Sequence, residues 1–92
     1  SRELLNNLPE ILRQLKEYHL VSWNKVKDSL VLFRIKSFAS ELKKTGEKYE
    51  FHFLTAYASR LIHDVDVIDL DSITENLSSF PNIIEEIQNI RT

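Results

Sequence analysis

Residues 64–71 read Asp64-Val65-Asp66-Val67-Ile68-Asp69-Leu70-Asp71, and how they are read decides the fold. Acid and aliphatic residues alternate, as they would in a half-buried strand. No other segment offers such a strand a partner, and a lone strand or hairpin is marginal in water. The stretch therefore reads as a loop, with Asp71 capping a following helix that contains Glu75.

Both flanks of this loop are helical in pattern. Upstream, a helix is expected from about Glu47 to His63, with Phe51, Leu54, Ala58, Leu61 and Ile62 facing inward and Tyr57 and Phe53 widening the stripe. Before it, residues 31–45 carry Ile35, Phe38, Ala39 and Leu42 at i, i+3, i+4 and i+7. Lys43-Lys44-Thr45-Gly46 reads as the end of that helix: cations beside the last carbonyls, then a glycine free to take the left-handed cap. Downstream, Ile73, Leu77 and Phe80 continue the periodicity, and Pro81 marks a kink or fresh start before Ile83, Ile84, Ile87 and Ile90. At the other end, Leu8, Ile11, Leu12 and Leu15 paint one helix face, with Pro9 suited to a first turn. That pattern runs on through Tyr18, Trp23 and Val26. A break is expected near residues 19–22, where Ser22 could cap a short second helix, with one continuous helix as the alternative. Asp28-Ser29 forms the next junction. The expected architecture is a single all-α domain over residues 1–92, an antiparallel bundle of four to five helices with short connections.

Composition narrows the function. Ninety-two residues leave room for one domain. At 42% hydrophobic and 28% charged, the chain is an ordinary globular sequence, not a disordered one. No cysteine is present, which removes disulfides, zinc–thiolate sites, iron–sulfur clusters and thiol catalysis. The single glycine, Gly46, leaves no glycine-rich phosphate loop, and with two prolines there are too few turn residues for a β-sandwich. Apolar runs are too short for a membrane span, and no signal-peptide pattern opens the chain. Methionine is absent, so the sequence reads as a piece excised from a larger protein. Residues 1–45 hold nine Lys/Arg against five Asp/Glu, and residues 46–92 hold three against nine. Neither half has the dense basic stripe that nucleic acid would favour, whereas halves of opposite sign suit charged protein partners.

Few residues invite chemistry. The three histidines, His19, His52 and His63, lack the i, i+4 spacing of a helical metal site. His63 reads as a helix-end cation favoured by the dipole, and His19 and His52 as surface or boundary residues. Asp64, Asp66, Asp69 and Asp71 have neither the spacing nor the glycine of a calcium loop and read as a solvated acidic turn. The serines form no nucleophile elbow, and adjacent Glu85-Glu86 point apart on a helix. No catalytic residue, cofactor or metal is expected, and the domain is not expected to be an enzyme.

Over about residues 8–84 the order and separation of these landmarks resemble histidine-phosphotransfer domains. The resemblance is nearest to the small helical domains at the C-terminal ends of bacterial hybrid sensor kinases. It is carried by Leu8-Pro9, Trp23, Ile35 with Phe38-Ala39 and Leu42, Gly46 with Tyr49, Leu54 with Tyr57-Ala58 and Leu61, Val67-Ile68-Asp69-Leu70, and Ile73 with Leu77 and Phe80-Pro81. The family's Ala-His-x-Leu-Lys-Gly motif falls on Ala39-Ser40-Glu41-Leu42-Lys43-Lys44. Ser40 stands where the phosphoacceptor histidine would be, and Lys44 where the glycine would be. A relay needs a phosphoramidate that can pass its phosphoryl group to an aspartate, and a serine ester does not pass it on. The resemblance thus implies the phosphotransfer fold without relay chemistry.

The expected function is a non-catalytic docking module of a two-component signalling protein. It would bind a receiver or kinase domain through Lys36, Ser40, Lys43 and Lys44, whose positive charge suits the aspartate cluster of a receiver. The resemblance also implies a cytoplasmic setting, with any membrane anchor elsewhere in the parent chain and no membrane contact by this domain. Two rivals stand beside it. One is homodimerisation through an apolar patch of Trp23, Phe33, Phe51 and Phe53; the other is phosphotransfer through His19, His52 or His63.

Overall fold

The computed structural model describes residues 2–90. Its elements are α1 (Arg2–Gln14), a π turn (Leu15–His19), α2 (Leu20–Val26), α3 (Leu32–Lys48), α4 (His52–Asp66), α5 (Leu70–Ser78) and α6 (Phe80–Asn89), with no strand among the described residues. α1, the π turn and α2 follow one another without interruption, so five rods make up an all-α bundle.

Side-chain contacts fix the antiparallel arrangement. Near the start of α3, Lys36 meets Asp66 at the end of α4, while Gly46 near the end of α3 lies against Thr55 in the first half of α4. The N-terminal rod also runs opposite to α3. Gln14 donates to the Tyr49 hydroxyl just beyond the C-terminus of α3, and His19, further along the rod, meets Thr45 one turn back from it. α5 returns along α4, and α6 closes against α1.

The N-terminal rod differs from expectation at two points. Pro9 lies well inside α1, because Leu4 and Leu8 extend the apolar stripe upstream of it and burial outweighs the missing N–H bond. The expected break near residues 19–22 is instead a π turn, in which the Leu20 N–H reaches back five residues to the Leu15 carbonyl. The wider turn carries the inward stripe from Leu15 to His19 and Trp23, both four residues apart, so the rod continues without a cap at Ser22.

Both loops flanking α4 also depart from the sequence reading. Gly46 is not a left-handed cap; it lies within α3, which runs to Lys48. A Cβ there would sit 2.9 Å from the Thr55 amide nitrogen, so glycine is required for the close approach of α3 and α4. The left-handed residue is Glu50, at φ 51°. Phe51 N–H bonds the Gly46 carbonyl and Glu50 N–H the Glu47 carbonyl, the paired bonds of a Schellman motif. α4 ends in the same way: Ile68 takes φ 55°, Asp69 N–H bonds the Asp64 carbonyl and Ile68 N–H the Val65 carbonyl.

These bonds settle the reading of residues 64–71. Val65 belongs to the helical stripe of Leu54, Ala58 and Leu61 and is buried, whereas Val67, Ile68 and Leu70 are exposed. Asp69, not Asp71, caps α5, its carboxylate accepting from the Ser72 N–H at 3.2 Å; Asp71 falls in the first turn. Asp64 is buried and accepts from the Asn76 amide at 2.5 Å.

Phe80 sits at the centre of the core with no exposed surface. Phe38 packs edge-on to it at 5.2 Å between centroids, and Trp23 and Tyr57 lie about 6 Å away. The last carbonyls of α5 are taken by two of these rings' polar groups: Trp23 Nε1 donates to the Leu77 carbonyl at 2.7 Å and the Tyr57 hydroxyl to the Asn76 carbonyl at 2.6 Å. Burial pushes the Tyr57 phenol well above its ordinary pKa.

Candidate functional site

α3 lies in the middle of the bundle with one face toward solvent. At 3.6 residues per turn, Lys36, Ser40, Lys43 and Lys44 fall within an arc of roughly 100° on that face. Opposite them Ile35, Phe38, Ala39 and Leu42 are buried, so core packing fixes which side they present. Lys36 and Ser40 border a shallow hollow of about 510 Å³ together with Phe33, Ser37 and Glu41. Phe33 is 69% exposed, the most exposed large apolar side chain among the described residues, and the Arg34 guanidinium lies 5.8 Å from its ring.

Ion pairs reduce the positive charge expected of this face. Lys36 Nζ lies 2.6 Å from Asp66, and Lys44 Nζ 2.8 Å from Glu41. The Lys44 hydrogen bond holds the Glu41 carboxyl below its ordinary value and is matched by a rise for the ammonium. Lys43 has no ion-pair partner among the described residues. Lys44 turns away from the hollow toward a second depression that shares Glu41 with it, and Lys43 lines neither.

That second depression, about 430 Å³, lies in the seam between the π turn and the C-terminal half of α3. Arg13 spans its rim, bonding Glu10 at 2.6 Å and Glu17 at 3.1 Å; hydrogen bonds from Arg13 and then Gln14 bring the Glu10 carboxyl down to about 2. His19 lies in its floor. The ring is 2% exposed, its Nε2 is 2.8 Å from Thr45 Oγ1, and Nδ1 is buried with no hydrogen-bond partner. Burial pushes this imidazole below its ordinary value, opposed by the nearby Glu41 carboxylate. The expectation of a surface or boundary His19 is thus corrected. The signal was present in the sequence, since His19 follows Leu15 by four residues on the stripe of Leu8, Ile11 and Leu12.

The other residues singled out from the sequence do not converge. His52 and His63 are exposed near opposite ends of α4, far along the helix from each other. Three of the four aspartates have separate partners, Asn76 for Asp64, Lys36 for Asp66 and the Ser72 amide for Asp69, and Asp71 sits in the α5 first turn. Among the described residues no group of three or more histidines or carboxylates could hold a metal, and no helix is long and apolar enough to cross a membrane. The aromatic patch expected for self-association is dispersed. Phe51 is buried, Trp23 packs against the core, and Phe33 and Phe53 lie at opposite ends of the antiparallel α3–α4 pair. Phe33 belongs to the α3 face instead, a placement its spacing of three from Lys36 and seven from Ser40 already allowed. Compared with protein-family models, curated protein sequences and solved structures, the chain matches none.

Proposed function

We propose that this domain is a phosphotransfer-like docking module that binds the receiver domain of a two-component signalling protein through the solvent face of α3, without carrying a phosphoryl group itself. One observation carries the reading: a largely exposed phenylalanine beside a hollow on the helix face that aligns with the phosphotransfer motif. Protein interfaces are typically centred on such an apolar anchor within a polar rim. With Lys36 and Lys44 paired, Phe33 supplies the anchor, and Lys43, Lys36 and the Ser40 hydroxyl supply the rim. The absence of relay chemistry rests on residue identity. At the aligned position Ser40 offers a hydroxyl, and the nearest imidazole in the rod facing α3, His19, is buried.

The reading is tested by titrating the isotope-labelled domain with the receiver encoded nearest to it, with and without beryllofluoride. Shifts clustered on residues 33–44 support it, and flat spectra at millimolar receiver overturn it. Phe33→Ala separates docking from folding. At 69% exposure its loss changes stability by less than about 0.5 kcal/mol, whereas removal of an interface anchor weakens binding by about 2 kcal/mol.

A further inference from the structure

We infer that the π turn Leu15–His19 is an acid-sensitive joint: protonation of His19 expels the ring from the seam and loosens the N-terminal rod from α3. A neutral imidazole has one N–H and one lone pair, and an imidazolium has two N–H donors. The seam offers His19 one partner, the Thr45 hydroxyl at 2.8 Å, which itself lies 3.5 Å from the Glu41 carbonyl. Whichever tautomer the neutral ring adopts, Nδ1 has no partner and is sealed from water. The neutral ring tolerates that as a bare lone pair or a single unmet N–H. The cation adds a charge and leaves a charged donor buried and unbonded, which is far more costly.

The groups facing His19 do not rescue it. From α3, Glu41 is the one carboxylate that favours the cation, and it is engaged by Lys44, while Lys48 adds further positive charge at the rim. On the rod itself Glu17 is held by Arg13, and Tyr18 meets the imidazole through its ring at 4.9 Å. The π turn is already an interruption of regular helical winding, directly beside the ring. The least costly response to a proton is therefore local. The ring leaves, and the depression between rod and α3 opens into a longer cleft.

Histidine-ring nitrogen shifts and amide exchange, followed in the intact domain between pH 7.5 and 5.0, test this. The expected result is a His19 titration midpoint below 6.5. With the same midpoint, amide exchange of residues 15–20 and 42–46, corrected for intrinsic rates, should rise several-fold while residues 73–87 stay protected. His19→Leu should abolish that pH dependence. An unshifted His19 midpoint overturns the joint, as do unchanged exchange at residues 15–20 and loss of protection throughout the bundle in one step. The same holds if His19→Leu retains the response. Should that variant fail to fold, coincidence of ring titration and local exchange in the unmodified chain decides alone.

Discussion

Single residues carry departures from sequence rules that can be measured. Ile68 is a β-branched residue held at φ 55°, a conformation that costs a non-glycine residue roughly 1–2 kcal/mol, and its side chain is 62% exposed, so little packing offsets the strain. Ile68→Gly is expected to raise stability by about 1 kcal/mol after the extra freedom glycine gains in the unfolded chain, as read from urea unfolding midpoints. Asp69, next along, supplies the α5 cap, and the Ser72 backbone N–H followed by its hydroxyl hold the carboxyl below its ordinary 3.8. A carboxyl lowered in the fold stabilises above its unfolded value and loses that contribution as pH falls through 3.8 toward the folded value. Asp69→Ala should lower stability at neutral pH. Asp69→Asn should keep the cap and remove this part of the acid loss, a contrast that unfolding curves at pH 6 and pH 3 resolve. His19 has the opposite charge chemistry but the same slope. Its neutral form is the buried one, so its contribution is whole above 6.5 and declines as pH falls below that.

At the scale of elements, helices were legible where burial and periodicity agree, and their ends were not. Ile35, Phe38, Ala39 and Leu42 located α3 because every one of them packs inward. Its end was misplaced because glycine has two uses, a left-handed cap and a close approach, which look alike in sequence. The deciding contact is with Thr55, which belongs to the next helix. Gly46→Ala tests that assignment. The added methyl meets the Thr55 backbone and side chain, and a cost of about 1–3 kcal/mol is expected in thermal or urea unfolding. A position needing only helical φ would instead gain stability from alanine. The π turn was equally hidden, since the spacing of Leu15, His19 and Trp23 also fits a regular helix. Asp69 and Asp71 could each have capped α5, and the Schellman turn at Ile68 selects between them. Of the face proposed for docking, Lys36, Ser40 and Lys43 could be grouped from spacing alone. The pairing of Lys36 with Asp66 spans thirty residues, and nothing local announces it.

For the whole molecule, the bundle is elongated, 38 × 20 × 18 Å, with α3 and α4 the most closely joined pair. That pair is pinned at one end by Gly46 against Thr55 and at the other by Lys36 and Asp66, and its connecting loop is only a few residues long. The face proposed for docking therefore stands on the most closely packed pair of helices, while α1 and α6 meet each other through contacts distant in sequence. A route of assembly follows. The short loop makes closure of the α3–α4 hairpin entropically cheap, so this hairpin is expected to be the folding nucleus and the seam of α1 with α6 to form last. Leu54→Ala and Ile87→Ala both empty fully buried sites and each costs about 2–5 kcal/mol. In stopped-flow chevrons the first should slow folding and the second should chiefly hasten unfolding. The tight helical crossing that needs its one glycine would then also set the tempo at which the chain becomes a domain.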